Sequence, residues 1–133
     1  LTEVAQGGAN LSGGQKARVG LARAVYRAAL MARERPELPP LVLLDDVLCA
    51  LDRRVARDVC ERLFRPGGGL LTACAVVLAT ADPWFLGALA GSPRVAVLRD
   101  GRAIASGRAE ELRSLGLPEL QAAALPTATT GTG

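Results

Sequence analysis

The sequence predicts an α/β domain, a parallel sheet with flanking helices and a C-terminal β-hairpin. Three observations carry this expectation. Leu41-Val42-Leu43-Leu44 is apolar at every position and ends in two carboxylates, Asp45 and Asp46, the pattern of a strand buried on both faces of a parallel sheet. Segments with helical spacing stand on both sides of it, so strands and helices alternate along the chain. Asp100-Gly101, between two further strand-like runs, is a hairpin signal.

Taken in order, Leu1 to Asn10 is short, glycine-bearing and loop-like. Ser12 is a good N-cap, and Gln15, three residues on, completes a capping box. Val19, Ala22, Tyr26 and Leu30 then recur at helical spacing, which predicts a helix over Gly13–Glu34. Arg35-Pro36-Glu37-Leu38-Pro39-Pro40 ends it, because three prolines cannot continue a helix. After the strand and Val47 to Asp52 comes a second helix. Val55, Val59, Cys60 and Leu63 line one face of it, while Arg53, Arg54, Arg57 and Arg65 face away. Pro66-Gly67-Gly68-Gly69 stops this helix. A strand is expected at Ala75–Thr80, then a short helix near Pro83 capped by Asp82. Arg94–Leu98 and Arg102–Ser106 form the hairpin, and a last helix runs from near Arg108 to Gly116. The remainder, rich in Ala, Thr and Gly, is expected to be a disordered tail. The expected domain is therefore 1–116 and the tail 117–133.

Composition narrows the function classes. A chain of 133 residues holds at most one domain, and with half its residues hydrophobic but only 3% aromatic its core must be aliphatic. Lys16 is the only lysine, and the arginines are spread along helix patterns as solvated faces. No basic stripe of the kind nucleic acid requires is present. Cys49, Cys60 and Cys74 form no C-x-x-C, and there is no histidine, which excludes the usual Cys/His zinc site and any His-based triad. The thiols fit a reducing compartment. Glu3 and Asn10 interrupt any apolar N-terminal stretch, so no signal peptide is expected. Gly67 to Pro93 carries only one charge, Asp82, yet glycine and proline clusters break it well short of a membrane span of about 20 residues.

The run Leu11-Ser12-Gly13-Gly14-Gln15 is an ordinary capped helix in its plainest reading. Its two glycines also open the helix entry, where unpaired N–H groups and the macrodipole attract anions. Followed by Lys16, Arg18 and Leu21-Ala22-Arg23-Ala24, it resembles the signature motif of ATP-binding-cassette (ABC) nucleotide-binding domains, most closely those of subfamily C, the multidrug-resistance-associated transporters. The resemblance covers roughly Thr2 to Leu115. It implies part of a P-loop NTPase fold, the half after the Walker A loop, since the chain contains no G-x-x-x-x-G-K-[ST]. Leu41 to Asp46 then resembles Walker B, with Asp45 helping to hold Mg²⁺ through water. Asp46 stands where the family carries the glutamate that positions the attacking water. Val47 to Asp52 resembles the D-loop, with Val47 for its proline and Cys49 for its serine. Ala75 to Ala81 resembles the strand leading to the switch histidine, which Ala81 replaces.

Two departures fall on one site. Asp46 is one carbon shorter than glutamate, about 1.5 Å of bond length. The methyl group of Ala81 cannot hydrogen-bond a γ-phosphate. This pattern looks like the degenerate first nucleotide-binding domain of subfamily C. The resemblance implies an ATPase module of an exporter on the cytoplasmic face of a membrane, using ATP and Mg²⁺. Its partners would be a second nucleotide-binding domain and transmembrane domains, with no nucleic acid. Leu11, Ser12, Gly13, Gly14, Gln15 and Asp52 would meet nucleotide, the signature acting on the partner's ATP. Two other functions stay open: a soluble ABC ATPase of chromosome maintenance or translation, and a non-catalytic dimerisation or regulatory module.

Overall fold

The computed structural model describes Glu3, Ala5, residues 9–87, Leu89 and residues 93–123. Most of the expected N-terminal loop and residues 124–133 of the expected tail lie outside the described residues. The chain divides into two compact units, Leu1–Ala81 and Asp82–Gly133.

In the first unit, helix α1 (Gly13–Glu34) has the predicted bounds. Strand β1 (Leu41–Asp45), helix α2 (Arg53–Phe64) and strand β2 (Ala75–Ala79) follow. The strands pair in parallel, from Leu41 opposite Ala75 to Asp45 opposite Ala79, with α2 as the crossover between them. Val42 and Leu44 therefore share a face with Val76 and Leu78. That face packs against Leu21, Val25 and Ala28 of α1, Leu63 of α2, and Leu71. Each Val or Leu of this set, once buried, contributes about 1.5–3 kcal/mol.

The packing corrects two expectations. The stripe of α1 that meets the sheet is Leu21-Val25-Ala28, at i, i+4 and i+7, and not the stripe through Val19 and Tyr26; Tyr26 is 72% exposed. The helix is apolar along both lines, and the sheet selects one of them. Strand β1, apolar from Leu41 to Leu44, is covered on only one face. Val42 and Leu44 are buried, while Leu41 and Leu43 are 62% and 69% exposed, because nothing among the described residues of this unit packs on their side. On α2 the buried line is Ala56-Cys60-Leu63, with Val55 and Val59 half-buried at its margin.

The second unit opens with Asp82, whose carboxylate accepts the Trp84 N–H at 3.4 Å, at the start of a 3-10 helix, Trp84–Gly87. Strands β3 (Arg94–Arg99) and β4 (Arg102–Arg108) form the hairpin. Its two-residue turn has both φ angles positive, Asp100 at 49° and Gly101 at 72°, which matches the twist of the strands it joins. A register shift lies between Val97 and Leu98. Helix α3 (Ala109–Arg113) is short, and a second 3-10 helix spans Pro118–Ala123. Leu120 buries against Val97 and Leu112, and Arg99 pairs with Glu119 at 2.6 Å. Among the described residues no helix is long and apolar enough to cross a membrane.

Candidate functional site

The residues singled out by the sequence gather at one end of the first unit. Because β1 and β2 are parallel, their C-terminal ends lie side by side, with Asp45 opposite Ala79. Asp46 extends the pairing by donating its N–H to the Ala79 carbonyl at 2.9 Å. Ala81 follows β2 at the same end and is exposed. Helix α1 begins there too. A Cβ added to Gly14 would stand 3.1 Å from the carbonyl oxygen of Ala50, so the first turn of α1 touches the loop that follows β1. The glycine permits that approach.

The entry to α1 is capped from both directions. Ser12 Oγ accepts the Gln15 N–H at 3.2 Å, and Gln15 Oε1 accepts the Ser12 N–H at 2.8 Å. The Lys16 N–H donates to the Ser12 carbonyl at 2.9 Å. By helix geometry the N–H groups of Gly13 and Gly14 have no acceptor within the helix, and neither residue carries a side chain to shield them. Leu11, just outside, is half-buried.

Asp45 and Asp46 are both exposed, and Asp46 adopts φ 46°, in the left-handed region. The loop beyond is two successive turns: the Cys49 N–H donates to the Asp46 carbonyl at 3.2 Å, and the Leu51 N–H to the Leu48 carbonyl at 3.1 Å. Buried Leu48 anchors it. Asp52 then caps α2, its Oδ1 accepting the Val55 N–H at 3.0 Å. The neighbouring Asp46 side chain, with some desolvation, pushes the exposed Cys49 thiol above its ordinary pKa. Burial pushes Cys60 to about 11 and raises Cys74, so none of the three is an activated nucleophile. The approach of Gly14 to Ala50 is not visible in the sequence, since it depends on how the 46–52 loop turns.

Chemically, this end offers two hard carboxylates and a helix entry suited to an anion. Among the described residues no group of three or more His, Cys, Asp or Glu could form a closed metal cage. Two strand-end carboxylates instead fit Mg²⁺, which keeps several waters and takes the rest of its ligands from phosphates. A surface groove lined by Arg27, Met31, Glu34, Leu38 and Pro40 lies at the other end of α1.

Comparison with known proteins gives close relatives. The chain is 42% identical over 111 residues to the vacuolar heme ABC transmembrane exporter abc3 of Schizosaccharomyces pombe, covering 84% of this chain and 7% of that protein. It is 40% identical over 116 residues to the probable multidrug resistance-associated protein lethal(2)03659 of Drosophila melanogaster, covering 87% of this chain and 7% of that protein. It is 40% identical over 111 residues to the metal resistance protein YCF1 of Saccharomyces cerevisiae, covering 84% of this chain and 6% of that protein. The chain therefore spans less than a tenth of the length of these relatives. No family model and no solved structure matches it.

Proposed function

We propose, for a chain that belongs to subfamily C of the ABC transporters, that it forms the C-terminal half of a nucleotide-binding domain with an intact signature and a degenerate site of its own. The observation that carries the proposal is the meeting of the α1 entry with the Asp45–Asp52 loop at one end of the parallel pair. In a P-loop NTPase this is the end that faces nucleotide, and ligands of open α/β sheets bind beyond the carboxyl ends of the strands.

On this reading the Gly13 and Gly14 N–H groups and the Ser12 hydroxyl receive the γ-phosphate of ATP held by a second nucleotide-binding domain. Leu11 and Gln15 shape that entry, and Asp52 holds the D-loop by capping α2. Asp45 would help to hold Mg²⁺ in the local site, where the metal would supply charge neutralisation to the phosphates. Asp46 offers a short carboxylate in place of glutamate, and Ala81 offers no hydrogen bond. The local site then retains ATP and hydrolyses it poorly. The module works on the cytoplasmic face of a membrane, coupled to transmembrane domains. The relatives' names, an exporter among them, favour a transporter over a soluble ATPase or a non-catalytic module.

The test is a pair of substitutions in the full-length transporter. Gly14→Asp places a carboxylate where the partner's γ-phosphate approaches, and it is expected to remove most ATP turnover. Asp46→Asn acts on a site already short of its histidine and is expected to leave most turnover intact. Steady-state ATPase rates decide the matter; equal losses in the two variants refute the division between an intact signature and a degenerate local site.

A further inference from the structure

Helix α1 is apolar along two lines, and only the line of Leu21, Val25 and Ala28 is buried. On the far side Val19 and Tyr26 are 48% and 72% exposed, and Leu30, one turn beyond Tyr26, is half-buried. Successive helical residues turn by about 100°, which sets Lys16, Arg23 and Arg27 among these apolar side chains and opposite the buried line. The charge of the helix has one sign: Lys16, Arg18, Arg23, Arg27 and Arg33 stand against one acid, Glu34. Among the described residues no carboxylate pairs with Lys16, Arg23 or Arg27. Beside Arg27 the face opens into a groove of about 380 Å³, lined by Met31, Leu38 and Pro39 and flanked by Arg35. We propose that this outer face of α1 docks a partner protein through an acidic amphipathic helix. The apolar side of that helix covers Val19, Tyr26 and Leu30 and seats one residue in the groove, while its carboxylates meet Lys16, Arg23 and Arg27. From Val19 to Leu30 the line is about 16 Å long, so about three turns of helix cover it. Charge decides among the occupants. A second copy of the chain would bring like cations together. A nucleic-acid backbone would use the cations and leave the apolar residues uncovered. A bilayer takes an apolar line free of charge, and here Arg23 stands between Val19 and Tyr26.

The test uses the 133-residue chain in dilute solution. The probe is a fluorescein-labelled peptide of about 14 residues, with leucines at helical spacing flanked by glutamates. Anisotropy is expected to show binding that weakens as salt is raised. A peptide of the same composition in scrambled order is expected to bind at least about tenfold more weakly, and Tyr26→Ser to lose as much with the ordered peptide. Arg23→Glu with Arg27→Glu is expected to lose the acidic peptide and to gain its counterpart with lysine in place of glutamate, a reversal that a misfolded variant cannot produce. No binding of the acidic peptide, equal binding of the ordered and scrambled peptides, or variants that bind as the parent does overturn the proposal. Co-sedimentation with phosphatidylglycerol vesicles without peptide binding assigns the face to a membrane and overturns it too.

Discussion

Gly13 and Gly14 are neighbours with different surroundings. A methyl group on Gly13 would meet nothing within 4 Å, while one on Gly14 would press on the Ala50 carbonyl at 3.1 Å. Alanine improves helix propensity at both positions. Gly13→Ala is therefore expected to stabilise the first unit by about 0.5 kcal/mol. Gly14→Ala must also displace the loop after β1, and is expected to lose that gain and end below the parent. Denaturant midpoints of the two variants measure the difference, and equal midpoints would show that the contact between α1 and the loop does not form. The capping box of Ser12 and Gln15 was legible in the sequence, because the pattern is local. The left-handed backbone of Asp46 was not, because an Asp after a strand can turn in several ways. The choice here is made by the pairing of Asp46 with Ala79.

At the scale of elements, the 3-10 helix Pro118–Ala123 is held to the hairpin by Arg99 and Glu119. The Glu119 carboxyl lies below its ordinary pKa, chiefly through a hydrogen bond from its own backbone N–H and then through Arg99. A carboxyl lowered by folding contributes stability above its ordinary pKa, and the contribution is lost as pH falls through the lowered value. Leu120 packs with Leu86, which shares a 3-10 helix with Trp84, the only tryptophan of the chain. Acidification below the carboxylate range is therefore expected to shift Trp84 emission in the parent. In Glu119→Gln the shift should already be largely present at neutral pH, leaving a smaller response to acid. Emission in the variant that titrates as in the parent would refute the tie.

The same elements explain how far the sequence could be read. The bounds of α1 were legible because Ser12 opens it and three prolines follow it. The face it buries was not, because it is apolar along two lines and only the position of β1 chooses between them. The packing of Leu120 was not legible either, because it is a single apolar residue in a polar and small-residue context, and its partners Val97 and Leu112 are distant in sequence.

At the scale of the whole molecule, the sequence contains no G-x-x-x-x-G-K-[ST] phosphate loop. That loop supplies backbone N–H groups and a lysine to the β- and γ-phosphates. The 133-residue chain is thus expected to show no micromolar binding of MgATP by calorimetry; a micromolar isotherm would mean that the α1 entry and Asp45 suffice.

The parallel pair carries a second consequence. Parallel sheets are ordinarily covered on both faces. Here one face is closed by α1 and α2, and the other leaves Leu41, Leu43 and Val77 62%, 69% and 56% exposed. Leu43 and Val77 lie opposite each other in the register, so the exposed side chains form one continuous apolar strip. Such a strip beside open strand edges promotes association. The sedimentation coefficient of the chain is expected to rise with concentration. Leu43→Lys with Val77→Lys should flatten that dependence, since both residues point away from the Val42–Leu44 core and tolerate a charge. A chain that sediments as a monomer at every concentration, or a double variant that associates as the parent does, would show that this face does not drive association.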